Sequence, residues 1–153
     1  MIFVRAAKKD ECWKLQILND EVFTDNAKYD SDLILDWATS DKGKKYFKKI
    51  LLDKSALVLL AQENDKLIGY LAGRQKNLGY RKSKCIEIEN MGVTSKYRSK
   101  GIGSKLINEC ISWAKKQGYK KVYVNSYFKN IQAISFYKRN GFNEIDISLE
   151  KDI

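Results

Sequence analysis

From residue 84 onward the chain alternates strand-like and helix-like segments, and that alternation restricts the fold more than any other feature. Lys84 to Val93 reads as a strand. A glycine-bearing turn follows, then a long helix marked by Ile102, Leu106, Cys110 and Ala114. That helix ends at Gly118 with Lys115 and Lys116 in its last turn, where the helix dipole favours cations. Val122 and Val124 mark another strand, and Asn130 caps a short helix that stops at Asn140-Gly141. Strands joined through a helix pair in parallel. Upstream, the apolar run Ala56 to Ala61, the turn Asn64-Asp65 and the segment Lys66 to Gly73 predict an antiparallel hairpin. The sheet is therefore expected to be mixed, in an α/β fold.

The remaining segments complete the order β-α-α-β-β-β-α-β-α-β. Residues 2–6 read as a first strand. A helix is expected from Lys9 or Asp10, with acids in its first turn and Cys12, Leu15, Leu18 and Val22 at helical spacing. A second helical region lies between Ser31, a candidate N-cap, and Leu52, with Gly43 placed to split it. Ile145, Ile147 and Leu149 alternate and predict a final strand. No repeat or linker interrupts the 153 residues, so one domain over 1–153 is expected.

Composition narrows the chemistry. The chain has no histidine, which excludes Ser-His-Asp and Cys-His nucleophile systems and histidine-ligated zinc. Cys12, Cys85 and Cys110 are too scattered for a thiolate metal site, so no metal is expected. Their odd number suits reduced thiols in a cytoplasmic protein. Proton transfer is left to Glu, Asp, Tyr, Lys, Cys or water. No stretch approaches the roughly 18 apolar residues of a membrane span, and the N-terminus turns charged at Arg5, too early for a signal peptide. No membrane partner is expected. The formal charge is +10, unevenly spread. Between Asp10 and Asp41 nine acids face two bases, so that stretch carries −7 against +17 for the remainder.

The turn from Val93 to Ser104 joins a strand to a helix and contains Gly101 and Gly103. Such a turn presents unpaired backbone N–H groups at the positive end of a helix, and glycine lets phosphate oxygens approach closely. Arg98, Lys100 and Lys105 add positive charge. The turn lacks the Gly-Lys-Ser/Thr of a Walker loop and the third glycine of a dinucleotide fingerprint. Glu87 and Glu89 alternate with Ile86 and Ile88 and so share one face of the preceding strand.

The pattern Arg98-x-x-Gly101-x-Gly103 resembles the coenzyme A signature of the GCN5-related N-acetyltransferase (GNAT) family. The later pattern Asn130-x-x-Ala133-x-x-Phe136-Tyr137-x-x-x-Gly141-Phe142 resembles the same family's last helix and final strand. The resemblance covers essentially the whole chain, with residues 20–55 matching least. It implies a mostly antiparallel central sheet, helices on both faces, and a fourth strand that bulges and splays from the fifth. It implies acetyl-coenzyme A as cosubstrate, with the acetyl group moved to a primary amine by direct attack in a ternary complex.

By the same resemblance Met91, Gly92 and Val93 would line the pantetheine arm, with Gly92 suited to the bulge and an N–H near Val93 stabilising the oxyanion. The pyrophosphate would rest on the N–H groups of Arg98, Ser99, Lys100, Gly101, Ile102, Gly103 and Ser104. Asn130 would hydrogen-bond the arm, and Tyr137 would be the general acid toward the leaving thiolate. Either Glu89 or Glu87 would take the amine's proton, with Glu89 nearer the thioester. The acidic stretch 10–41 would wall the acceptor side, which favours a cationic acceptor such as a polyamine or amino-sugar. A protein N-terminus or lysine is the alternative acceptor. A basic nucleic-acid-binding module and a non-catalytic coenzyme A-binding regulator are readings of other classes. Nucleic acid is not expected as a partner, since no helix-turn-helix, RRM or zinc motif is present. A homodimer is compatible with the sequence.

Overall fold

The computed structural model describes residues 1–153. Five strands lie side by side in chain order: β1 (Ile2–Ala6), β2 (Leu57–Glu63), β3 (Lys66–Lys76), β4 (Cys85–Val93) and β5 (Lys121–Val124). The first three junctions are antiparallel and β4/β5 is parallel, as the strand-helix-strand segment requires.

Alternation along the strands gives the sheet two apolar faces. Leu57, Leu59, Ala61, Leu71, Ile86 and Ile88 pack against Ile102, Leu106, Ile107 and Cys110 of α3 (Ile102–Lys116). Partly buried Phe136 and Tyr137 of α4 (Ile131–Arg139) join that side. Val58, Leu60, Tyr70 and Ala72 face the other way, onto Cys12, Leu15 and Leu18 of α1 (Cys12–Asn26) and Phe47 and Ile50 of α2 (Asp41–Leu52).

Several boundaries differ from the sequence expectation. Helix α1 starts at Cys12, with no acid in its first turn. Glu11 instead folds back, accepting from Arg5 Nη1 and Nη2, both at 2.8 Å, and from the Lys8 N–H at 2.8 Å. Ser31 caps nothing. The segment before α2 holds only a 3-10 turn at Trp37–Thr39, and Ser40 caps α2 through Gly43 N at 3.3 Å. Gly43 does not split the helix. It lies inside it, where a Cβ would fall 2.3 Å from the Trp37 carbonyl oxygen. The final strand is absent, since residues 142–153 adopt no regular structure and Ile145, Ile147 and Leu149 are exposed. Alternation there has no neighbour to pair with, and a strand needs a partner.

Candidate active site

Parallel pairing between β4 and β5 runs from Cys85/Lys121 to Ile88/Val124 and stops. Strand β4 continues to Val93 on β3 alone. The register with β3 slips at the same point, since Gly73 faces Ile88 whereas Ala72 faces Asn90. Glu89 is thus the extra residue of a β-bulge. The expectation of a bulge at Gly92 is corrected to Glu89. Gly92 keeps its pairing with Tyr70, and its missing side chain serves packing. A Cβ on Gly92 would meet Val22 Cγ2 of α1 at 2.4 Å and Tyr70 Cε1 at 3.2 Å.

One inserted residue reverses the faces of all that follow. Met91 and Val93 therefore pack on the α3/α4 side, while Glu87, Glu89, Asn90 and Gly92 turn to the α1/α2 side. The Thr94 N–H bonds the Ile68 carbonyl at 2.9 Å, toward β3, so the Val93 N–H before it points to the opened gap.

Both candidate bases are held in ion pairs. Glu87 Oε2 accepts from Lys76 Nζ at 2.9 Å, and that ammonium lies 4.3 Å from the Tyr123 ring centroid. Glu89 Oε1 accepts from Arg74 Nε at 2.6 Å, while its Oε2 accepts from the Tyr46 hydroxyl at 2.5 Å. Tyr137 approaches from the other face, packed on Phe136 and Phe142 with ring centroids 5.2 Å and 5.6 Å away. Burial pushes its phenol up to about 12, so it stays protonated at working pH. Tyr70 carries a buried phenol raised by burial, with a smaller contribution from neighbouring Tyr137.

The turn after β4 takes a left-handed backbone at two positions, the conformation that favours glycine. Ser99 (φ 60°) and Gly101 (φ 78°) are left-handed, and Gly101 opens α3. The first intrahelical bond recorded there runs from Lys105 N to Gly101 O at 3.1 Å, which leaves the N–H groups of Ile102, Gly103 and Ser104 without helical partners. Gly103 has a second reason to be glycine, since a Cβ would lie 2.8 Å from Phe136 Cζ of α4. Lys100 lies over the Tyr97 ring at 5.0 Å. Arg98 turns away from the helix N-terminus. Its Nε donates to the Val93 carbonyl at 2.9 Å, and its guanidinium pairs with Asp25 and Glu21 of α1. Asn130 Oδ1 caps α4 through Ala133 N at 3.1 Å, so its amide nitrogen is the group left to face a ligand.

Tyr46, Arg74, Asn90 and Asn19 were not singled out by the sequence. They reach the site from separate elements, and no local motif announces such a meeting. No group of three or more His, Cys, Asp or Glu side chains is arranged to hold a metal ion, and no helix is long and apolar enough to cross a membrane. Cys12, Cys85 and Cys110 are free and buried, and burial raises each thiol, Cys110 to about 11.

A profile of the acetyltransferase (GNAT) family matches residues 15–142. An uncharacterized N-acetyltransferase of Methanocaldococcus jannaschii is 33% identical over 67% of this chain and 46% of its own length. N-alpha-acetyltransferase 50 of Danio rerio is 31% identical over 65% of this chain and 59% of its own. The chain thus spans about half the length of these relatives. Among solved structures, a mutant of the BH1408 protein of Bacillus halodurans superposes with a TM-score of 0.87 at 20% identity, covering 99% of both chains. AAC(6')-Iy in complex with the bisubstrate analogue CoA-S-monomethyl-acetylneamine gives 0.77 at 15% identity, covering 100% of this chain and 98% of that one. At these identities the two structures establish the shared fold.

Proposed function

Because this chain belongs to the acetyltransferase (GNAT) family, we propose that it is an N-acetyltransferase that transfers the acetyl group of acetyl-coenzyme A to a primary amine by direct attack, in one domain over residues 1–153 and in the cytoplasm. The observation that carries this reading is the gap where β4 and β5 part after Ile88 and Val124. It connects the two faces of the sheet, with Glu89 on one and Tyr137 on the other. The residues suit the coenzyme. The unpartnered N–H groups at the start of α3 would hold its pyrophosphate, and Met91, Val93 and the Asn130 amide would line its arm. When bound, it supplies the activated acetyl group.

The chain's own groups then divide the work. The Val93 N–H polarises the carbonyl under attack. Glu89 accepts the amine's proton, directly or through water, with Glu87 as the outer alternative. Tyr137, kept protonated by burial, donates to the departing sulfur. Every group used belongs to one chain, so a dimer is not required.

The acceptor is read as cationic. Of the acids in residues 10–41, Glu11, Glu21 and Asp25 are occupied by Arg5, Lys14 and Arg98. Asp30, Asp32 and Asp36 form no ion pair, and Asp30 accepts from Tyr127 Oη at 3.0 Å, from the loop after β5. They can steer a polyamine or amino-sugar. The kinship with N-alpha-acetyltransferase 50 supports a peptide N-terminus as the second acceptor class. An acetylation panel of polyamines, aminoglycosides, peptides and neutral amines tests the reading. The expected result is preference for cationic amines, with kcat/KM falling as salt rises, because screening shortens to about 8 Å at physiological ionic strength. Preference for an uncharged amine with no salt effect overturns the cationic acceptor, and no transfer to any amine overturns the enzyme.

A further inference from the structure

A bulge that opens a coenzyme gap must itself be held, because an extra residue leaves its ladder disrupted. In this chain both residues at the bulge are gripped by one hydroxyl. Tyr46 Oη donates to Glu89 Oε2 at 2.5 Å and accepts from Asn90 Nδ2 at 2.9 Å. Asn90 Oδ1 accepts from Asn19 Nδ2 at 3.2 Å, and the same nitrogen donates to Tyr70 Oη at 2.6 Å. Arg74 holds the other carboxylate oxygen and stacks its guanidinium 5.9 Å from the Tyr46 ring centroid.

Three features separate this arrangement from an ordinary packed tyrosine. First, along the path from Asn19 through Asn90 and Tyr46 each group donates toward the Glu89 carboxylate, while the second Asn19 N–H is taken by Tyr70, so the carboxylate charge polarises that path. Second, Asn19 is fully buried and its Oδ1 has no partner, so the amide is oriented by the network at a cost in unsatisfied polarity. Third, the Tyr46 ring is fixed independently of its hydroxyl, by Phe47 at 5.0 Å and Trp37 at 5.6 Å. Burial, then the bond to Glu89, raises the Tyr46 phenol, so it remains a donor across the working range.

We propose that Tyr46 is a positioning residue for the reaction: from α2 it clamps the Glu89-Asn90 bulge, fixing the direction of the Glu89 carboxylate and the point at which β4 leaves β5. The proposal rests on the acetyltransferase reading for its kinetic test only. Tyr46→Phe keeps the ring and its packing and removes the clamp. With an amine that the wild type acetylates, kcat should fall about tenfold, the effect of losing one hydrogen bond to a charged group. KM for acetyl-coenzyme A should change less than kcat, and the melting temperature should fall by only about 2–4 °C, the cost of a lost hydrogen bond in a chain of this size. In a Glu89→Gln background the same substitution should cost less than twofold, because its effect passes through Glu89. Full kcat in Tyr46→Phe, or losses that multiply in the double variant, overturn the proposal. A second measurement uses no turnover. In protein labelled with 13C at tyrosine Cζ, the Tyr46 resonance, assigned by its loss in Tyr46→Phe, should shift in Glu89→Gln. An unmoved resonance overturns the clamp. A wild type that acetylates no amine defeats the enzyme reading instead, and the resonance still decides the contact.

Discussion

Tyr137 and Glu11 show how one environment sets one group's task. The Tyr137 phenol, raised to about 12 by burial, rests protonated at working pH and is available as a proton donor. Tyr137→Phe should therefore lower kcat about 10²-fold with little change in KM for acetyl-coenzyme A, and wild-type activity should show no alkaline decline from this group below about pH 10. Steady-state kinetics across pH checks both. Glu11 is a structural counterpart, 4% exposed and held by Arg5, Lys14 and the Lys8 N–H. The hydrogen bond from Arg5, foremost, keeps its carboxyl well below the usual range in the fold. Its stabilisation is full above the ordinary carboxylate range and is lost as pH falls toward the folded value. Glu11→Gln should cost about 2–3 kcal/mol at pH 7 and clearly less at pH 3, measured by denaturant titration. Neither this staple nor Tyr46 was legible in the sequence. Residues 43 apart, such as Tyr46 and Glu89, share no local pattern.

At the scale of elements, the turn from β4 to α3 makes two glycines answer to different demands. Gly101 needs its left-handed backbone, and nothing lies within 4 Å of a Cβ there. Gly101→Ala should cost about 1 kcal/mol. Gly103 needs room for Phe136, so Gly103→Val should cost about 1–3 kcal/mol through overpacking and weaken coenzyme binding as well. Adding Phe136→Leu should recover part of the stability lost in Gly103→Val, as thermal melts would show. The turn was legible because glycine spacing, a preceding strand and a following helix all agree. The strand at Ile145–Leu149 was misread because alternation reports a face and says nothing about a partner. The helix expected from Ser31 failed for a similar reason, since Ser40 supplies the working cap. The bulge escaped by three residues because Gly92 was the permissive residue by type, whereas contacts from α2 and β3 select Glu89.

For the whole molecule, the order β1-β2-β3-β4-β5 gathers two local antiparallel junctions, β2/β3 and β3/β4, and two distant ones, antiparallel β1/β2 and parallel β4/β5. The β4/β5 junction has four residue pairs, and β5 joins β4 only after the chain has passed through α3. It has fewer residue pairs than any other junction of the sheet and so the fewest bonds to break. The sheet should therefore open as unequal units. Amide hydrogen exchange should be faster at Lys121–Val124 than at Leu57–Ala61, whose strand is bonded on both sides. A ligand lodged where β4 and β5 part should slow exchange at β5 more than at β2. Equal protection of the two strands, with and without acetyl-coenzyme A, would show that the sheet opens as one unit. If the difference is found, the place where we propose that the sheet admits a substrate is also the hinge along which the native state breathes.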